Sequence, residues 1–146
     1  MTDYTDSLGF NKGTAGYDAN GLSSVTKISV ELDFAKIAAA RSAAGAAALA
    51  ATDTLVVMPI PAGSTILMAG VNVTKAEGAV ATMDLGDGSG ATTYLSNVNL
   101  NSVAANGATV AAPVFYATAD ALKVTIDSNN VDVAVAKVWA IVVDCN

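Results

Sequence analysis

The sequence predicts an all-β protein: a jelly-roll-like β-sandwich of about eight strands, with one short alanine-rich helix and an extended N-terminal arm. Three observations lead there. Apolar and polar side chains alternate with a two-residue period, as where Ile28, Val30, Leu32 and Phe34 interleave with Lys27, Ser29, Glu31 and Asp33, the pattern of a strand with one wet face. Turn-forming clusters such as Pro59-Ile60-Pro61-Ala62-Gly63 and Gly86-Asp87-Gly88-Ser89-Gly90 punctuate the apolar runs at short intervals. Helix-forming character is confined to one stretch after Phe34. Many short strands with tight turns and one weak helix describe a two-sheet sandwich. A chain of 146 residues suits a single core, so the expected division is an arm over residues 1–24 and a sandwich over residues 25–146.

The arm carries Gly9, Gly13, Gly16 and Gly21 among Asp, Asn, Ser and Thr and has no periodicity of either kind. Fully extended it would reach roughly 80 Å, farther than the width of the domain. Its aromatic residues Tyr4, Phe10 and Tyr17 stand out from this polar setting. They are the candidate contact residues, either anchoring the arm on a partner or neighbouring subunit or packing locally on the parent domain.

After the first strand, Ala35-Lys36-Ile37-Ala38-Ala39-Ala40-Arg41 favours helix until Gly45 interrupts it. Strands are expected from Thr54 to Met58 and from Ser64 to Thr74, on either side of the proline-rich corner. Lys75-Ala76-Glu77-Gly78 and Gly86–Gly90 read as hairpin connections bounding strands from Ala79 to Leu85 and from Thr92 to Leu100. Residues 101–109 read as a small polar linker before a short strand at Pro113–Tyr116. Leu122, Val124 and Ile126 mark the next strand and Asp127-Ser128-Asn129-Asn130 its turn. The last strand, Val131 to Val143, is apolar on both faces and belongs centrally or against another subunit. Trp139 within it is expected in the core.

Hydrophobic residues make up 53% of the chain and charged ones 14%, too little charge to cover a lone surface generously. Part of the apolar surplus should be covered by other chains. No run approaches the roughly 20 apolar residues of a membrane span, and the start is acidic where a secretory signal would be basic. A soluble protein made in the cytoplasm is therefore expected, with no membrane partner. The net charge of -6 disfavours nucleic acid. Cys145 is the lone cysteine, which excludes a disulfide framework and a cysteine zinc cage.

Histidine is absent, which removes the usual general base, zinc ligand and common triads. A pair of carboxylates could still act as in a glycosidase, but Glu31, Asp33, Asp127 and Asp132 occupy polar strand or turn positions and read as solvated charges. Asp84-Leu85-Gly86-Asp87-Gly88-Ser89-Gly90 is acidic and glycine-rich like a calcium loop, yet lacks the closing glutamate of an EF-hand. The simpler reading is a hairpin turn, with calcium left open. Tyr94, Phe115 and Tyr116 would make a small sugar-stacking surface if their strands brought them together. No catalytic residue, cofactor or metal is assigned.

One order of features runs through the chain: Glu31-Leu32-Asp33-Phe34, the alanine-rich Ala35 to Ala51, Asp53-Thr54-Leu55-Val56-Val57-Met58-Pro59-Ile60-Pro61-Ala62-Gly63, Ala81-Thr82-Met83-Asp84-Leu85-Gly86-Asp87-Gly88, and Val138-Trp139-Ala140-Ile141-Val142-Val143-Asp144. In this order the chain resembles the small jelly-roll decoration, or cement, proteins of tailed-bacteriophage heads. The resemblance implies a non-enzymatic virion protein, a homotrimer on the outer capsid surface that bridges major capsid protein subunits and stabilises the shell. It brings no catalytic residues. The alternative is a glycan- or receptor-binding β-sandwich module of a phage fibre or bacterial surface, since one fold hosts many functions. A carboxylate-based hydrolase comes third.

Overall fold

The computed structural model describes residues 25–145. They form β1 (Val25–Asp33), α1 (Phe34–Ala43), β2 (Thr54–Ile60), β3 (Ser64–Lys75), β4 (Thr82–Gly86), β5 (Leu95–Asn99), β6 (Ala104–Tyr116), β7 (Asp120–Ser128) and β8 (Val135–Asp144). Two four-stranded sheets result, in the orders β1-β8-β3-β6 and β2-β7-β4-β5. Every pairing is antiparallel. Only β4 and β5 are neighbours both in sequence and in a sheet; every other connection crosses to the opposite sheet. That is the double Greek-key order of a jelly roll, and the expected all-β sandwich is the observed one.

Local chemistry explains the first crossing. Phe34 continues the apolar alternation of β1 and is fully buried, yet it opens the helix, because Asp33 turns the chain. The Asp33 carboxylate accepts from the Lys36 backbone N–H at 3.2 Å, the N-cap bond that satisfies an otherwise orphaned helical donor. The cap's backbone hydrogen bond, against an opposing effect of burial and with help from the nearby Lys36 ammonium, holds the Asp33 carboxyl below its ordinary range. Gly45, at φ 74°, ends the helix in the left-handed region that glycine enters freely.

The core lies between the inner faces. Leu32, Ile66, Val71, Val73, Ala136, Val138 and Ala140 from one sheet meet Met58, Ile60, Met83, Leu85, Val98, Leu122, Val124 and Ile126 from the other. The inward residues of β8 include the small Ala136 and Ala140, both fully buried.

Three expectations change. Lys75–Gly78 is no hairpin: β3 and β4 belong to different sheets, so this loop crosses the sandwich. The linker expected over residues 101–109 is largely strand, because Ala104 to Gly107 pair with Val73 to Gly70 of β3, and a well-placed partner outweighs weak intrinsic β-propensity. The last strand begins at Val135 rather than Val131. The backbone before it is held by a side chain instead: the buried Glu77 carboxylate accepts from the N–H groups of Asp132, Val133 and Ala134 at 2.9, 3.0 and 2.7 Å.

Candidate functional site

A sheet in a sandwich must bury one face; what the other face carries depends on its surroundings. Register places the outward residues of the β1-β8-β3-β6 sheet in rows. Val25, Val143, Thr65 and Phe115 form one; Lys27, Ile141 and Met68 the next; Ser29, Trp139, Gly70 and Gly107 a third; Glu31, Lys137 and Asn72 a fourth. Phe115 and Val25 are exposed at 58% and 63%, so one end of this face is openly apolar. At its centre Lys27, Met68, Asn72, Trp139 and Ile141 line a shallow depression of about 380 Å³.

Trp139 therefore does not join the core. As an odd-numbered residue of β8 it points away from the side on which Ala136, Val138 and Ala140 are buried. Its indole lies across β3, where a Cβ on Gly70 would stand 2.6 Å from Trp139 Cε2 and from the Asn106 carbonyl oxygen. Only glycine gives the ring this seat. On β6 a Cβ added to Gly107 would stand 3.6 Å from Trp139 Cζ2, in ordinary van der Waals contact with the same ring. The indole N–H donates to Asn72 Oδ1 at 3.2 Å, which fixes the ring's direction and leaves part of it exposed. The sequence does carry a signal for this arrangement: two glycines inside strands, where glycine marks a close approach.

The outer face of the β2-β7-β4-β5 sheet differs in kind. Thr54 and Thr125 hydroxyls meet across β2 and β7 at 3.2 Å. The Thr82 hydroxyl lies 2.7 Å from Ser128 Oγ and 3.1 Å from Asp127 Oδ2. Asp84 Oδ1 accepts from the Asn97 backbone N–H at 2.8 Å. Val56, 70% exposed, and the exposed Pro59 are apolar residues on this side.

The acidic glycine-rich loop folds as a hairpin between β4 and β5. Asp87 Oδ1 accepts from the backbone N–H groups of Ser89 and Gly90 at 2.9 and 3.2 Å and from the Ser89 hydroxyl at 2.7 Å, with the Thr93 hydroxyl 2.8 Å away. Its Oδ2 accepts from Tyr116 at 2.6 Å. The Tyr116 proton is thereby committed, so its oxygen accepts from Tyr94, with which it is also hydrogen-bonded. Burial pushes the Asp87 carboxyl up, but hydrogen bonds from Tyr116, Ser89 and Thr93 outweigh it and hold the pKa down at about 2. The Tyr116 phenol is pushed well above its ordinary value by burial and by its bonds to Asp87 and Tyr94. Lone pairs that a cation would need are already engaged by donors. No group of three or more His, Cys, Asp or Glu side chains among the described residues could hold a metal ion.

The aromatic trio does not form a sugar-stacking surface. Tyr94 and Tyr116 are buried at 6% and 7% exposure, their rings committed to the interior, and Phe115 faces outward alone. Among the acids, Asp33 caps α1 and Glu31 stands opposite Lys137 on the outer sheet. Tyr4, Phe10 and Tyr17 lie outside the described residues. No helix among the described residues is long and apolar enough to cross a membrane.

No protein-family model matches the chain, and no curated protein matches it. Solved structures do. A chain in the Cyanophage Pam1 capsid asymmetric unit is similar over 92% of this chain and 96% of its own length, with a TM-score of 0.59 and 17% identity. A chain in the acidic stable capsid of Helicobacter pylori bacteriophage KHP30 is similar over 84% and 89%, at TM-score 0.54 and 11% identity. One in the capsid of Ralstonia phage GP4 is similar over 88% of each, at 0.53 and 13%. At such identities the likeness is one of fold, and it covers most of each chain.

Proposed function

We propose that this chain is a structural protein of a phage virion, one that decorates the outer capsid surface and stabilises the shell by bridging major capsid protein subunits. The reading rests on one observation, the fold shared over most of both chains with components of phage capsids. The apolar outer face of the β1-β8-β3-β6 sheet supports it, because a sandwich that needed only to fold would leave that face polar. A homotrimer is the assembly we propose, with the arm over residues 1–24 and its Tyr4, Phe10 and Tyr17 contacting the shell or a neighbouring subunit. The mechanism is mass action: a protein that binds the assembled shell and not its dissociated parts stabilises the shell by its own binding free energy. Its role is binding rather than catalysis.

Sedimentation of lysate from the native source through a sucrose gradient, with the chain located by mass spectrometry at low and high salt, tests this. Co-migration with capsid-sized particles in stoichiometric amount is expected. A small free species at both salt concentrations would sink the proposal and turn attention to glycan or receptor binding. Deleting residues 1–24 should lower particle occupancy while the sandwich stays folded; unchanged occupancy would remove the arm from the mechanism.

A further inference from the structure

We propose that the free edge of β6 pairs with the free edge of β1 in a second copy of this chain, so that the β1-β8-β3-β6 sheet continues from one subunit into the next. This rests on the homotrimer proposed above and names the contact that builds it.

Among the described residues β1 and β6 each have a hydrogen-bonded neighbour on one side only, and such an edge presents N–H and C=O groups to any strand that fits. The other sheet blunts its edges: β5 is five residues long and β2 carries the exposed Pro59. By contrast β6 runs for 13 residues, and no charged residue occurs from Asn101 to Ala119. Its one proline, Pro113, lies where the register with β3 shifts, outside the regular stretch Ala104–Thr109. In that stretch the Asn106 carbonyl oxygen is turned toward β3, close to where a Cβ on Gly70 would stand. The N–H of the same peptide, that of Gly107, therefore points to the open side. By the alternation of an antiparallel ladder, the backbone groups of Ala105 and Gly107 line that edge, and both residues are exposed.

The occupant is identified by the far side of the same sheet. Its neighbouring strands are antiparallel throughout, so β6 and β1 run in opposite senses, and β1 of a second copy laid beside β6 prolongs the alternation. Carrying the sheet's register across the junction sets Ala105 opposite Glu31 and Gly107 opposite Ser29 of the second copy. The backbone groups of Ser29 and Glu31 face the open side of β1 by the same alternation, so both pairs are of the hydrogen-bonded kind. Side chains agree. The outward row Val25, Val143, Thr65, Phe115 ends at each edge in an exposed apolar residue, and the junction brings Phe115 to the end of β1 that Val25 begins, where each covers the other. Ile28 and Val30, inward on β1, are only partly buried and gain a neighbouring strand. Two unlike edges make a heterologous contact, the kind whose repetition closes a ring of three, whereas pairing of like edges is two-fold and stops at a dimer.

Cysteine pairs read the contact directly. In a Cys145→Ser background, Ala105→Cys and Glu31→Cys alter two exposed side chains. The Cα atoms of a hydrogen-bonded antiparallel pair lie about 5.5 Å apart, inside the roughly 4.4–6.8 Å that a disulfide spans. Under mild oxidation the full chain carrying both changes should give cross-linked dimers and trimers on a non-reducing gel. A co-refolded mixture of the two single variants should give the heterodimer, and neither single variant alone should cross-link. Monomers throughout would overturn the proposal. So would dimers from either single variant alone, which would show like edges pairing. As a second measurement, Ala105→Pro removes only an N–H that faces away from β3, so its far-UV circular dichroism should match the natural protein's while its sedimentation mass falls from three chains to one. A trimer unaffected by that proline would also overturn the edge contact. Cross-linking is read on the free protein and decoration on particles, so a trimer joined this way that never meets a capsid defeats the decoration role alone, and a capsid-bound chain that does not cross-link defeats this contact alone.

Discussion

The two outer faces of the sandwich each belong to a four-stranded antiparallel sheet on a shared core, yet they solve different problems. On the β2-β7-β4-β5 sheet outward positions are filled with Thr54, Thr82, Thr125, Asp127 and Ser128, whose hydroxyls and carboxylate bond to one another. On the β1-β8-β3-β6 sheet Val25, Met68, Phe115, Trp139, Ile141 and Val143 stand among polar outward residues that include Lys27, Ser29, Glu31, Asn72 and Lys137. Folding requires one buried face per sheet, and the inner faces already supply it. An added apolar face gains little for the isolated fold and adds a risk of nonspecific association. Its reason must lie in what covers it, which is why the Trp139 face, and not the threonine face, is where function is sought.

The contrast presupposes that both sheets hold together, and Glu77 is where that can be broken most severely. It lies on the loop crossing from β3 to β4 and binds the backbone that crosses from β7 to β8, so one carboxylate fastens two crossings. Glu77→Ala leaves the N–H groups of Asp132, Val133 and Ala134 without their acceptor, a loss of about 3 kcal/mol, readable as a fall in the urea midpoint. Glu77→Gln keeps one oxygen and should recover part of it. Both faces should be lost together, Trp139 emission shifting in the same transition as the far-UV signal.

Next in size is Asp87, which ties the β4–β5 hairpin to Tyr116 at the end of β6. Its carboxyl titrates near 2 when folded against 3.8 when free. The unfolded chain therefore takes up the proton first as pH falls. The contribution, about 2 kcal/mol, is complete above about pH 4 and is lost between about pH 4 and about pH 2. Urea midpoints measured across that interval should fall more steeply for the natural protein than for Asp87→Asn, which should be destabilised by a comparable amount at neutral pH. Because the tie joins the two sheets at one corner, Phe115, next to Tyr116, is the part of the apolar face it steadies.

Much of this was legible in the sequence. Alternation along β1 and β7 and the proline corner at Pro59–Gly63 identified strands and a change of direction, because a two-residue period and a fixed proline φ are local properties. What stayed hidden depends on partners distant in the chain. The segment Ala104–Gly107 looks like linker until β3 is beside it. Trp139 looks like core, because an apolar strand does not say which of its faces points inward. Glu77 and Asp87 look like loop acids, since nothing near them in sequence names the three N–H groups or the tyrosine they meet. Two signals of the candidate face could be read: the last strand, apolar on both faces, and Gly70, a gap in a strand that something large had to fill.

A pair of charge insertions sharpens the contrast. Ile141→Lys places a second ammonium beside Lys27 and removes an apolar wall of the depression, while Thr125→Lys puts the same charge on the polar face. Both sites are outward, so the thermal midpoints should stay close to the natural protein's. On the proposed reading Ile141→Lys lowers particle occupancy roughly thirtyfold, the scale of a central interface residue at about 2 kcal/mol. Thr125→Lys leaves it unchanged. Equal losses from both would mean that the two faces are equivalent to the partner.

The smallest change asks whether apolarity alone makes a face sticky. Thr54→Val with Thr125→Val removes a hydroxyl pair beside Val56 and leaves a patch of three valines on the polar sheet. Valine keeps the β-branched shape that suits a strand, and the lost hydrogen bond is exposed to water, so stability should move by less than about 0.5 kcal/mol. Occupancy on particles should not rise. The Trp139 face differs from such a patch in having a fixed ring over paired glycines, a polar group that orients it and a neighbouring charge, and specific docking needs that geometry. A gain in occupancy from the valine pair would show that greasiness suffices, and the case for the Trp139 face would lose its physical basis.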